Sequence, residues 1–146
     1  MKRSLLVEAD GGPLSAVIAG ANVHDSKLLK ATLEAIVVER PAPTGQSPQH
    51  LCLDKAFDNP NAEQAVLDQE YVPHIRRIGE EKFDENKRKR HPARRWVVER
   101  TLAWLSKCRA ILVRYAKLSW VYLGLIQVAC ILLWYRRLHR LKPVLR

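Results

Sequence analysis

Two carboxylates stand where metal chemistry could be done. Asp54 closes the short apolar run Leu51-Cys52-Leu53, and Glu99 interrupts the segment Arg95-Trp96-Val97-Val98-Glu99-Arg100. A carboxylate at the C-terminal end of a strand is anchored by a rigid element yet open to solvent, and ligand sites of α/β sheets gather there. A glutamate amid Trp, Val and Leu is costly to bury unless it is paired or metal-bound. One carboxylate on a strand end and one on a helix can hold a divalent cation. Phosphoryl transfer often uses two such ions about 4 Å apart. Magnesium keeps several waters and so needs only a few oxygen ligands. Each residue also has a plainer reading. Asp54 and Asp58 can simply begin the turn into the next helix, and Glu99 can form a surface ion pair with Arg95, four residues earlier on the same helical face.

The setting is basic. The 146 residues carry a net charge of +10, which predicts attraction to polyanions, nucleic acid first and acidic membrane second. Arg76, Arg77, Lys87, Arg88, Lys89, Arg90, Arg94, Arg95 and Arg100 surround Glu99 in sequence, and Lys55 follows Asp54. Each such side chain can neutralise a phosphate and release counterions. Glu80, Glu81, Asp84 and Glu85 interrupt the cluster, so a solvated charge run is the alternative. Asn22, His24, Asp25 and Ser26 form a second polar group, read as a loop with a helix cap because no His or Cys at metal-ligand spacing accompanies His24. Cys52, Cys108 and Cys130 are too far apart for a CxxC site, and read as buried free thiols of a reducing cytosol.

Several elements must position these residues. Arg3 to Glu8 and Leu14 to Ala19, on either side of Asp10-Gly11-Gly12-Pro13, read as a β-hairpin. Asp25 or Ser26 can cap a helix from about Lys27 to Val38. Residues 40–49 are rich in Pro, Gly and Ser and form a loop. A strand at 51–53 ends at Asp54; Asn59-Pro60 starts a helix reaching about Gln69; Tyr71 to Ile75 is an edge or short strand because of Pro73. A basic loop covers about 76–93, followed by helices over about 94–140, the last from Ser119 to Leu138. Strands alternating with helices give a single α/β domain whose sheet is partly parallel.

The ordered set AGANVHDSKLL, LCLDKAFD and RWVVERTLAWLSKCRAILVRY resembles the DDE transposases of bacterial insertion sequences, from Lys2 to about Leu138. The resemblance implies a ribonuclease-H-like mixed sheet with flanking helices and a long C-terminal helix. It implies that Asp54 matches the second catalytic aspartate and Glu99 the catalytic glutamate, both metal ligands for Mg2+ or Mn2+. Lys55, Arg88, Lys89, Arg90, Arg94, Arg95 and Arg100 fall where double-stranded DNA at element ends and targets is contacted, and His24 and Asp25 lie in a recurring family segment. Two positions depart from the pattern: the tyrosine seven residues before the glutamate is Pro92 here, and the lysine seven after it is Ser106, with Lys107 beside it.

The family's first catalytic aspartate lies on a central strand upstream of the hairpin, and this chain begins at the hairpin. The expectation is an incomplete sheet with two open edges, in a chain inactive alone: a remnant, or one half of a split transposase that joins an upstream half or another copy. A non-enzymatic DNA-binding regulator of a full-length transposase is the first alternative. A small basic membrane protein is the second, because Leu118 to Tyr135 nearly suffices to span a bilayer. Gln127, Ser119 and Gly124 interrupt that run, so it reads instead as the long buried helix of a cytoplasmic protein with no membrane contact.

Overall fold

The computed structural model describes residues 1–75 and 95–141. The basic loop read at 76–93 lies outside the described residues, and with it Arg88, Lys89 and Arg90; so does Arg94. Strand β1, Lys2–Val7, pairs antiparallel with β2, Pro13–Ala19, in register from Lys2 opposite Ala19 to Leu6 opposite Ser15. The turn between them needs glycine: Gly11 has φ +91°, a region closed to most side chains. Its N–H donates to the Glu8 carbonyl at 2.9 Å.

Helix α1 spans Asp25–Glu34. Its cap is neither Asp25 nor Ser26. His24 takes the N-cap position, its Nδ1 accepting from the Ser26 N–H at 3.3 Å. The helix also stops short of Val38. Ile36, Val37 and Val38 are β-branched and lose χ1 freedom in a helix, and Val37 is almost wholly exposed, so no packing offsets that cost.

Strand β3, Gln49–Leu53, leads through a 3-10 turn, Lys55–Phe57, into helix α2, Pro60–Leu67, and then β4, Tyr71–Ile75. Asn59 caps α2 as its side chain accepts from the Ala62 N–H at 2.9 Å. Strands β3 and β4 are parallel, with Leu51 opposite Pro73. The two-stranded sheets do not pair with each other among the described residues. Helix α1 joins them. Leu29 and Leu33 bury against Leu51, Ala62 and Val66, with Leu6 of β1 packed on the same cluster. The buried Thr32 adds a polar tie: its hydroxyl donates to Ser4 Oγ at 2.7 Å, and its carbonyl accepts from Ser15 at 2.6 Å.

The chain closes with helices α3, Arg95–Ser106, α4, Arg109–Leu112, and α5, Ser119–Leu141. Leu105, Ile111, Tyr122, Ile126 and Ala129 form a second core, onto which Leu5, Ala16 and Ile18 of the hairpin pack. Helix α3 lies on β1 and α5 on β2. Both grip the hairpin turn. Thr101 Oγ1 donates to the Gly11 carbonyl at 2.7 Å, Trp134 Nε1 to Pro13 at 2.8 Å, and Arg137 pairs with Glu8 at 2.6 Å. A Cβ on Gly12 would stand 2.5 Å from the Trp134 ring. Gly12→Ala is therefore expected to cost about 1–3 kcal/mol through overpacking, measured as a lower urea midpoint at unchanged m-value.

Helix α5 is not the buried helix expected from its apolar run. Tyr122, Ile126 and Ala129 are buried, while Trp120, Val128, Ile131, Tyr135 and Leu138 are exposed on the outer side. Residues Ser119–Arg140 are long and apolar enough to cross a membrane, with mean hydropathy 1.4, yet only 17% of that stretch is buried in the protein. The thiols also depart from expectation: Cys52 is exposed, and Cys108 and Cys130 are half-buried. Burial pushes the Cys130 thiol from the ordinary 9.0 up to about 11. A raised folded-state value favours the protonated thiol, so its contribution is present below pH 9.0 and is lost as pH rises towards 11. Between those limits wild-type protein is expected to lose more stability than Cys130→Ala, as read from urea midpoints across the range.

Candidate active site

Asp54 is placed by the end of β3. Its backbone is still extended, φ −78° and ψ 163°, and its Oδ1 accepts from the Lys55 N–H at 2.7 Å, so it caps the 3-10 turn that follows. That leaves Oδ2 facing α3. Glu99 sits one turn into α3, where Val97, Thr101 and Leu105 bury the inner side and hold the helix against the hairpin. Arg95 lies between the two carboxylates. Its Nη1 is 3.2 Å from Asp54 Oδ2, and its Nε donates to Glu99 Oε1 at 2.7 Å. The side chains are 64% exposed for Arg95, 39% for Asp54 and 55% for Glu99, so the site opens to solvent.

The plainer reading of Glu99 as half of a helical ion pair with Arg95 is realised, and so is the turn-starting role of Asp54. Neither excludes the chemical one. Two carboxylates from elements far apart in sequence converge on one cationic group, and an oxygen donor set of this kind suits a hard divalent ion. The cation they share here is the Arg95 guanidinium. Among the described residues no group of three or more His, Cys, Asp or Glu side chains is gathered to hold a metal.

The other candidate residues divide. Lys55 opens the 3-10 turn beside Asp54. Arg100 is turned to the hairpin: its Nη2 donates to the Asp10 carbonyl at 2.6 Å, and its guanidinium lies over Trp96 and Trp104 at 4.7 and 5.0 Å. The spacing of Trp96, Arg100 and Trp104 at i, i+4 and i+8 carried that stack in the sequence. His24 and Asp25 serve the start of α1, His24 as its cap and Asp25 as the partner of Lys2 at 3.1 Å. One pairing went unread: His50 Nδ1 and His74 Nε2 lie 2.7 Å apart across β3 and β4. The signal was a histidine on each of two strands, but it needed the parallel register to be known.

A strand-end aspartate and a helix glutamate thus share one arginine on an α/β body. The chain belongs to the transposase DDE domain family, whose model matches residues 1–134. It is similar to a transposase assigned to insertion sequence element IS402 of Burkholderia cepacia, 28% identical over 145 residues. That match covers 95% of this chain and 64% of the relative, so the chain spans under two thirds of the length of the curated protein it matches. No solved structure matches the chain.

Proposed function

We propose that this chain is the DNA-binding, carboxylate-bearing part of a DNA transposase, and that it does not cut DNA alone. The observation that carries this reading is the convergence of Asp54 and Glu99 on one cation. In the assembled enzyme these two side chains hold Mg2+, or Mn2+ in its place. The bound ion supplies Lewis acidity for hydrolysis of a phosphodiester at the element end and for in-line attack by the freed 3′ hydroxyl on target DNA. The chain's own basic residues, Lys55, Arg95 and Arg100 among those described, with Arg88, Lys89, Arg90 and Arg94 in the segment between β4 and α3, neutralise backbone phosphates.

Two observations support the rest of the reading. A hairpin and a parallel pair that stay separate among the described residues fit a ribonuclease-H-like sheet with a further strand between β1 and β3. The described residues offer no third carboxylate for the pair. A third carboxylate for the pair would come from outside the described residues. His24 and Asp25 act by shaping the start of α1. One side of α5 is committed to the hairpin through Ile126, Trp134 and Arg137, which supports a cytoplasmic protein over a membrane span.

The test is double-stranded DNA binding across a salt series, then incubation of plasmid carrying element ends in magnesium. The expected result is affinity falling by about an order of magnitude or more between 50 and 200 mM salt, with no strand breaks. Salt-insensitive or absent binding would overturn the DNA reading, and cleavage by the chain unaided would overturn its inactivity. The second reading is a regulator that occupies DNA or subunits of a full-length relative. Inhibition of that relative surviving Asp54→Ala with Glu99→Ala would select the regulator.

A further inference from the structure

Arg95 spans two elements. Its contact with Glu99 stays inside one turn of α3, but its contact with Asp54 reaches from α3 to the end of β3. Arg95 is thus a basic partner that Asp54 and Glu99 share. Two carboxylates that converge repel each other, and one guanidinium placed between them offsets that repulsion. A divalent cation would seek the same oxygens, Asp54 Oδ2 and Glu99 Oε1. The guanidinium and the ion cannot both sit there, because like charges at contact distance repel strongly.

We propose that Arg95 is a positioning residue that holds Asp54 and Glu99 together in the metal-free protein and is exchanged for the divalent cation when the site loads. The proposal rests on the reading above that these carboxylates hold the metal. Exchange has a consequence for substrate. A guanidinium released from two carboxylates regains its full fork of donors beside the site, the geometry that binds phosphate oxygens in pairs. Metal and phosphate then assist one another, since whatever draws Arg95 away frees the carboxylates, and the coupling is reciprocal. The exposure of all three side chains makes the exchange easy: an exposed pair is weak, so the ion has little to displace.

The experiment is a Mn2+ titration of the full chain, with free Mn2+ read by electron paramagnetic resonance, on wild type, Arg95→Gln, Arg95→Lys and Asp54→Asn. Removing the competing charge in Arg95→Gln is expected to tighten Mn2+ binding about three- to tenfold, a change of under about 1.4 kcal/mol. Arg95→Lys, which keeps the charge without the fork, should stay near wild type, and Asp54→Asn should weaken binding. Unchanged or weaker binding in Arg95→Gln, with Asp54→Asn still weakened, overturns the exchange and leaves the metal reading standing. Unchanged binding in Asp54→Asn sinks the metal reading and the exchange with it. A measurement on wild type needs no variant to fold: the Arg95 Nε–H resonance should move as Mg2+ is added, and a resonance that stays in place overturns the proposal.

Discussion

Ile126→Ala is expected to remove about 2–5 kcal/mol of stability. Ile126 is 1% exposed and lies at the centre of the cluster formed by Leu105, Ile111, Tyr122 and Ala129. The hairpin side chains Leu5, Ala16 and Ile18 pack on that same cluster, so the cavity would open at the joint between hairpin and helices, where the surroundings have little freedom to close over it. Against a total of about 5–15 kcal/mol for an ordinary domain, a loss of that size leaves little. Urea unfolding followed by tryptophan fluorescence reads it as a shift in midpoint. Ile131→Ala, in the same helix at 65% exposure, is the matched control. It should change stability by less than about 0.5 kcal/mol.

The double substitution Asp54→Ala with Glu99→Ala is expected to have the opposite profile. Both carboxylates are exposed partners of an exposed arginine, and exposed ion pairs contribute about 0–1 kcal/mol. Unfolding should move by no more than that. Mn2+ binding, by contrast, should fall at least about 100-fold, because loss of a mere outer-shell partner already costs about 10–100-fold in a metal site. Calorimetric titration on wild type and variant, at one ionic strength, checks both halves. Equal Mn2+ affinity in the two proteins would remove the site from these residues.

The sequence made local turns and caps legible more readily than the long-range architecture. Asp54 after an apolar strand, Asn59-Pro60 at a helix start and the Asp10-Gly11-Gly12-Pro13 turn are local signals, each fixed by a residue's own backbone preference or by its side chain's reach to the next few amides. Those survive into the fold. His24 was missed as a cap because an imidazole nitrogen caps rarely and Asp25 and Ser26 beside it cap often. The side of α5 that buries was not readable, since a helix apolar all round has no periodicity to choose a face. The reach of Arg95 to Asp54 was beyond the sequence as well. It depends on how α3 sits on β1 beside the end of β3, which is set by packing around Thr101, Leu105 and the hairpin turn.

The grip of α3 on that turn has a consequence in time. The hairpin, and the strand-helix-strand from Gln49 to Ile75, are each built mostly from contacts close along the chain. Thr101 meets Gly11, and Arg100 meets Asp10, across 90 residues. Contacts between distant segments must wait for loop closure and form late. During synthesis, then, Asp54 leaves the ribosome well before Glu99, and the pair assembles only after α3 has emerged and docked. A nascent chain carries its basic segment before its two carboxylates can meet.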